Sequence, residues 1–400
     1  MQDINFDNLF KIMIFSMKLN KCHPDVPRDR KWMCQILLMH GSFFFIFCLI
    51  IYSTIFFEIK NGNLTQACAN GVLSIIFCVV TLKYWVMLRY QSVLKGLMDE
   101  MKNDYKTAKS FSPTEQRIMH NYAKRGTKVV KMWLIIASVA AGLFVVKSLV
   151  LMIYYVIRGK FQLVHLYDLT YPSPVEEMKN EPLVYVMLYL MFLFYDGYAM
   201  IMYIAMSALG PVFMLHGCGQ LELVNRRLMN IFNENDTEKI TLKKLSDIVK
   251  HLQNINSFLE RIQKSLGILY ELTLKATTII LPITFYQVIQ SYHEGDLRIE
   301  FITIIIGGIT LSSVPCYYGD ELMDMGENIR LAVYMCGWEN HLNTHKGLRT
   351  TLLIIQLRAS RAMAIHTMFH RICLDALTDV SIISLLCHNY YIATWDSYGL

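Results

Sequence analysis

Residues 374–394, LDALTDVSIISLLCHNYYIAT, are long enough to cross a bilayer, since ~20 residues at ~1.5 Å each match a ~30 Å hydrocarbon core. The stretch is not uniformly apolar. Ser381, Ser384, His388 and Tyr391 recur at steps of three and four, which puts them on one helix face, with Val380, Ile383, Cys387, Tyr390 and Thr394 beside them. Ile382, Leu385, Leu386 and Ile392 fall mostly on the opposite side. Hydrocarbon offers a polar stripe no hydrogen-bond partner, so the stripe must face protein or water. Interhelical packing and a water-filled pore both satisfy that demand.

The rest of the chain sets the context. It has 400 residues, of which 54% are hydrophobic and 18% charged, with mean hydropathy +0.34. An ordinary soluble domain carries ~25% charged residues. Repeated long apolar runs read instead as an all-α membrane protein. The net charge of +6 fits charged loops at a membrane better than nucleic-acid binding. Most of the ten cysteines lie in or near apolar runs, and the expected outer loops contain none apart from Cys68 at a helix mouth, so no disulfide-stapled ectodomain is expected. The first ~30 residues are mixed and basic before any apolar run, unlike a cleavable signal peptide.

Residues 1–31 read as a cytoplasmic tail in which Phe6, Leu9, Phe10, Met13 and Met17 form an apolar stripe, the pattern of an interfacial helix. Spans are expected at residues 34–57, 67–87, 133–157, 183–206, 266–289, 299–318 and 374–395. Asn63-Leu64-Thr65, between the first two, is an N-glycosylation sequon. Residues 89–131 hold ten Lys and Arg against four acids, the strongest charge signal in the chain, which marks this loop as cytoplasmic. The basic tail agrees. Seven spans then leave the N-terminus in the cytoplasm and the C-terminus outside. Residues 158–182, with three prolines and Asp168, Glu176, Glu177 and Glu181, read as the main outer loop. Residues 207–264 and 319–373 read as cytoplasmic segments. In the first, Leu245, Ile248, Leu252, Ile255 and Phe258 keep helical spacing and need a partner, within the chain or on a neighbouring subunit. In the second, residues 352–357 are apolar but too few to span. The whole is one seven-span domain.

Enzyme chemistry finds no footing. His366 and His370 are spaced i, i+4 without the intervening Glu of a metalloprotease, and read better as two histidines on a helix surface than as metal ligands. Gly217-Cys218-Gly219 lacks the strand–helix setting of a dinucleotide loop. No phosphate loop or G-x-S-x-G elbow occurs, and no cofactor is expected. The orientation, and the absence of Asp-Arg-Tyr and Asn-Pro-x-x-Tyr, argue against a G-protein-coupled receptor.

Leu215-His216-Gly217-Cys218-Gly219-Gln220-Leu221-Glu222-Leu223 with Arg226-Arg227-Leu228 resembles the cytoplasmic end of span four in insect odorant receptors, and so does His251 with the amphipathic run to Leu266. Gly319-Asp320-Glu321-Leu322, Ala332-Val333-Tyr334 and Trp338 look like the segment those receptors carry after span six. Thr351-Leu352-Leu353-Ile354-Ile355-Gln356, Arg361-Ala362 and Asn389-Tyr390-Tyr391 are similar to their closing block. The likeness covers essentially the whole chain in order and spacing, and Cys22-His23-Pro24-Asp25 has the look of moth members.

The resemblance implies an odorant-gated cation channel in the plasma membrane of olfactory sensory neurons. In it a divergent tuning subunit joins a common co-receptor subunit in a tetramer. Cytoplasmic parts of helices four to seven form the anchor between subunits, and the last helix lines the pore. The family gate lies shortly after a tyrosine of that helix. If Tyr390 is the match, the gate falls at Ala393 and Ser397; if Tyr391, at Thr394 and Tyr398. These depart from the usual apolar gate residues, which leaves a share of the seal to the co-receptor. Asp396 at the outer mouth would attract cations, or is simply a solvated acid.

The resemblance also puts the ligand in the outer half of the membrane, between helices two, three, four and six. Depth and helical spacing there select Leu73, Phe77, Phe144, Ser148, Met152, Tyr185, Tyr189, Phe192, Phe301 and Ile305; each is also an ordinary packing position. A small volatile gaining ~25 cal/mol per Å² buried reaches micromolar affinity, near ~−8 kcal/mol, with Ser148 or Tyr189 orienting a hydroxyl or carbonyl. Two other functions stay open. A gustatory receptor is disfavoured because the tail lacks Thr-Tyr, an apolar run and Gln-Phe. A secondary transporter would use paired ionisable groups at mid-membrane, for which Lys147 and Asp196 are the candidates; a structural ion pair between helices is the plainer account of those two.

Overall fold

Helices dominate this chain, because its apolar residues recur at helical spacing and its prolines sit where helices tolerate them. The computed structural model describes residues 5–232, 237–293, 295, 298–341, 346–361 and 363–378. Most of the expected seventh span, and with it Tyr390, Tyr391, Ala393, Thr394, Asp396 and Ser397, lies outside the described residues.

The helices are α1 (Phe6–Leu9), α2 (Lys11–Leu19), α3 (Arg30–Ser53), α4 (Leu64–Arg89), α5 (Gln91–Thr107), α6 (Pro113–Ile157), α7 (Ser173–Met178), α8 (Pro182–Ser207), α9 (Leu209–Met229), α10 (Glu238–His293), α11 (Ile299–Met335) and α12 (Lys346–Ala359). Six segments among the described residues are long and apolar enough to cross a membrane: Arg30–Glu58, Leu64–Arg89, Pro113–Ile157, Pro182–Met229, Lys239–His293 and Ile299–Met335. Each contains one of the first six expected spans.

Hydropathy marks where lipid ends, not where a helix ends. α6 has 45 residues and α10 has 56, so at ~1.5 Å per residue both far exceed a ~30 Å membrane core. The basic stretch expected as a loop is mostly helix: α5 and the first turns of α6. Ser112 starts α6 with a capping box to Glu115, and Pro113 stands where its missing N–H costs nothing. The molecule therefore has an apolar half, made of the expected spans, and a charged half, made of their extensions.

In the charged half, α9 is the central helix. Leu209–Met229 is buried on nearly every side through Val224, the Gly217-Cys218-Gly219 run included. Leu245, Ile248, Leu252, Ile255 and Phe258 of α10 are buried too, and α10 packs on α9 and α5 of the same chain. The N-terminal stripe is likewise absorbed by the fold. Phe6, Phe10, Met13 and Met17 are buried, and α2 packs mainly on α8, so this helix does not lie free at an interface as its pattern predicted. An amphipathic stripe reads the same from sequence whether lipid or protein covers it.

A second correction concerns residues 363–372, where His366 and His370 were expected on a helix. They belong to a tight hairpin: His366 and Arg371 form an antiparallel bridge, and Ile372 N–H donates to the Ile365 carbonyl at 2.9 Å. The hairpin runs against α11 at Gly319, where a Cβ would lie 2.1 Å from the Ile372 carbonyl oxygen, so only glycine fits. Next to it, Asp320 Oδ2 accepts from Leu374 N–H at 3.3 Å, at the start of the last expected helix.

Candidate ligand site

The site is built from the segment read as a polar outer loop. After α6 the chain does not skirt the bundle. Leu166, Tyr167, Leu169 and Tyr171 are all buried, and the segment is pinned by backbone bonds. Gln66 Nε2 donates to the Asp168 carbonyl at 2.6 Å, Thr170 N–H donates to Ser53 Oγ at 3.0 Å, and the Tyr185 hydroxyl donates to the Val164 carbonyl at 2.8 Å. Arg298 in turn holds Gln66 through its Oε1 at 2.8 Å. These bonds satisfy a buried irregular backbone that lipid could not.

Tyr167 is the residue of this segment that reaches the helix bundle's apolar cavity. Its ring stands edge-on to Phe144 (centroids 5.1 Å apart) and Phe192 (5.3 Å), geometries that the aromatic quadrupole favours. Its hydroxyl donates to Asp196 Oδ1 on α8, a residue only 9% exposed. Asp196 Oδ2 is buried without a partner among the described residues.

Beneath Tyr167 lies a cavity of about 120 Å³, walled by α4, α6, α8, α10 and α11. Its origin is visible in the residue sizes. Ala137, Ala140 and Ala141 of α6, Ala199 of α8 and the Gly307-Gly308 pair of α11 all face one space, which Trp133 and Tyr203 border without filling. Small side chains let helix backbones approach in lipid, but where several meet at one level they leave a void. Three hydroxyls on its wall are engaged: Tyr195 donates to the Leu73 carbonyl at 2.8 Å, Thr277 to the Thr273 carbonyl at 2.9 Å and Thr303 to the Glu300 carbonyl at 2.7 Å. The site is thus a mostly apolar chamber with a tyrosine roof and one carboxyl in its wall, suited to hold a small apolar molecule.

The ten residues selected from sequence fall into several places. Leu73 and Phe144 line the cavity. Phe192 and Phe301 pack around the roof, Phe301 edge-on to Phe144 at 5.9 Å. Ser148 shares a hydrogen bond of 2.9 Å with the Tyr189 hydroxyl, and the Tyr185 hydroxyl reaches Met152 Sδ at 3.3 Å, so these four knit α6 to α8 above the cavity. Ile305 is buried on α11 outside the cavity wall. Phe77 stacks on Phe47 (4.2 Å) and Phe43 (4.9 Å) between α3 and α4. Sequence reasoning missed Tyr167, Ala140, Tyr203 and the glycine pair as cavity wall. The available signal was the i, i+3, i+4 run of alanines in α6. The Lys147–Asp196 pairing does not form: Lys147 Nζ sits 2.7 Å from Glu300 Oε1, and Asp196 holds Tyr167. Asn63 is exposed, but its Oδ1 caps α4 by accepting from Gln66 N–H at 3.2 Å.

A second, polar cavity of about 350 Å³ opens in the charged half between α5, α9 and α10. There Asp104 Oδ2 lies 2.9 Å from His216 Nε2 and accepts from Gln220 Nε2 at 3.0 Å, while Gln220 Oε1 is 2.8 Å from His251 Nε2. Burial, followed by the charge of Arg227, pushes the His251 imidazole down to about 4.

Known proteins converge on one answer. Residues 63–383 match a family described as 7tm Odorant receptor. Odorant receptor 13a of Drosophila melanogaster is 25% identical over 187 residues, covering 42% of this chain and 44% of that protein, so the match spans under half of the relative. Two solved structures of the insect olfactory receptor OR5 from Machilis hrabei share the fold. The complex with eugenol superposes with TM-score 0.76 at 12% identity, covering 97% of each chain. The other superposes with TM-score 0.68 at 13% identity, covering 97% of this chain and 96% of that one. That family consists of receptors rather than enzymes, in line with the absence of catalytic motifs. With its matched length and its all-helical membrane-type fold, this chain belongs to the insect odorant receptor family.

Proposed function

We propose that this chain is the odorant-binding subunit of a ligand-gated cation channel, and that its ligand occupies the cavity under Tyr167. The observation that carries the reading is that cavity: mostly apolar, walled by five helices and roofed by a buried segment. About 150 Å³ accommodates benzene, so about 120 Å³ suits a compact volatile. The solved relative that holds eugenol lends the same reading a precedent in kind.

Orientation follows from charge. The ten Lys and Arg of residues 89–131 favour the cytoplasmic side, which puts the charged half and the N-terminus inside. Seven spans, with the last at residues 374–395, then leave the C-terminus outside. The last helix presents its polar stripe to a shared pore, with Tyr390, Tyr391, Ala393, Thr394, Asp396 and Ser397 nearest the gate. Large apolar side chains exposed on the charged half support assembly with a co-receptor as a tetramer: Leu331, Tyr334, Leu353, Ile354 and Leu357. The setting would be the plasma membrane of olfactory neurons, in a moth to judge by Cys22-His23-Pro24-Asp25. Gating requires only that the ligand bind the open state better than the closed one.

The test is current recorded under a volatile panel from cells expressing this chain with and without a co-receptor. Odour-evoked current is expected only with both, and Ala140→Leu, which fills the cavity, is expected to raise the half-maximal concentration at least tenfold. Substrate flux without conductance would turn the reading to a transporter. Odour responses indifferent to Ala140→Leu would remove the cavity from it.

A further inference from the structure

We infer that the cavity selects molecules carrying an O–H or N–H donor, and that the carboxyl of Asp196 makes the selection. The inference rests on the proposed reading of the cavity as the ligand site and goes beyond it by naming the ligand's chemistry. Asp196 lines a chamber whose other walls are mostly hydrocarbon and ring. Its Oδ1 accepts from Tyr167, but its Oδ2 is buried with no partner among the described residues. Tyr195, Thr277 and Thr303 direct their hydroxyl donors to backbone carbonyls, so they have none left to meet it. Lys147, the one basic residue that sequence reasoning matched to it, is engaged by Glu300.

A buried carboxyl oxygen without a donor is costly, and the cost is removed when a donor arrives. A ligand ending in a hydroxyl or amine supplies that donor while its hydrocarbon part fills the alanine- and glycine-walled space. A ligand of the same shape without a donor leaves the oxygen unpaired. Sites built to hydrogen-bond a group reject analogues lacking it far more strongly than apolar pockets reject a missing methylene. Trp133 Nε1 is the counter-candidate: it is also buried without a partner among the described residues, on a residue of the cavity wall, and it is a donor that would favour an acceptor such as a carbonyl.

Four probes of nearly one size separate these possibilities: benzyl alcohol, benzylamine, ethylbenzene and benzaldehyde. Half-saturating concentrations are read from the rise in melting temperature of the full chain in lipid nanodiscs. Benzyl alcohol, benzylamine or both are expected to bind at least tenfold tighter than ethylbenzene and benzaldehyde, and which of the two leads tells a hydroxyl from an ammonium. Asp196→Leu is expected to erase that preference while ethylbenzene still binds, which also certifies the fold. Asp196→Asn, nearly isosteric, is expected to abolish any preference for the amine and to weaken that for the alcohol; it decides the matter if the leucine variant does not fold. Equal binding of all four, preference for benzaldehyde, no binding at all, or a ranking unchanged in both Asp196 variants overturns the inference. Ala140→Leu tells the two failures apart. If it weakens all four probes while the ranking ignores Asp196, the cavity reading stands and only the selection falls. If it changes nothing, the cavity reading falls as well.

Discussion

The two halves of this molecule share helices but not a packing logic. α6, α10 and α11 each run from one half into the other. In the charged half, α9 is buried on nearly all sides, glycines admit backbone contacts, and Arg125 clasps Glu321 with two bonds of 2.5 Å. In the apolar half, the same helices meet through alanines and glycines and leave a chamber between them. Water drives apolar faces together, so the charged half closes its apolar faces around α9 and leaves its cavity of about 350 Å³ lined by polar groups. Lipid is as apolar as leucine and gives no such drive, so helices there associate through close contact of small residues and isolated polar bonds, and the smaller space they leave is mostly apolar. That apolar space is the proposed ligand site.

This difference is open to measurement, and the largest contrast concerns glycines on one helix, α11. Gly319→Ala puts a Cβ 2.1 Å from the Ile372 carbonyl oxygen, which is backbone and cannot swing away. Surface receptor or evoked current is expected to fall more than tenfold. Gly307→Ala, whose Cβ would come no closer than 3.8 Å to Ile136, is expected to fold normally. Equal tolerance at both positions would mean that the halves do not differ in packing.

A smaller effect is expected at the cavity roof. Tyr167→Phe removes the hydrogen bond that Tyr167 donates to the Asp196 carboxyl, and is expected to cost about 1–3 kcal/mol of stability, read from thermal or denaturant unfolding. Stability unchanged in this variant would show that the roof is not latched by that bond.

The smallest concerns pH and the polar cavity of the charged half. His251 is held neutral by burial, with its folded value near 4 against 6.5 in an unfolded chain. Between those values the unfolded chain binds a proton that the folded chain refuses, so stability is fully present above pH 6.5 and declines as pH falls toward 4. The melting temperature is expected to drop by several degrees across that window, and to drop less in His251→Gln. An identical decline in the variant would assign the effect to other groups.

How much of this was legible beforehand varies with how local the cause is. The six apolar segments appear where hydropathy put them, because lipid-facing length is written in consecutive residues. The buried stripe of α10 was legible for the same reason, whereas its occupant was not. The N-terminal stripe of Phe6, Phe10, Met13 and Met17 was correct as a pattern and wrong as a location, since periodicity does not say what covers a face. His366 and His370 had helical spacing but lie in a hairpin, because the contact at Gly319 and the bridge to Arg371 come from residues far apart or outside the pattern. Of the candidate pocket, Leu73 and Phe144 reached the cavity, while Tyr167 was hidden in a stretch whose prolines and acids signalled only a loop.

The sequence by itself determined that this chain is helical, that it carries apolar segments of membrane length, and which stretches are too charged to enter lipid; these depend on neighbours along the chain and on the free energy of moving each side chain out of water. Only the tertiary structure decided that Lys147 meets Glu300 rather than Asp196, that Tyr167 drops between α6 and α8, and that alanines and glycines from four helices face one unfilled space. Those outcomes depend on the rotation and depth at which separate helices pack, and no single helix encodes the face that another will present to it.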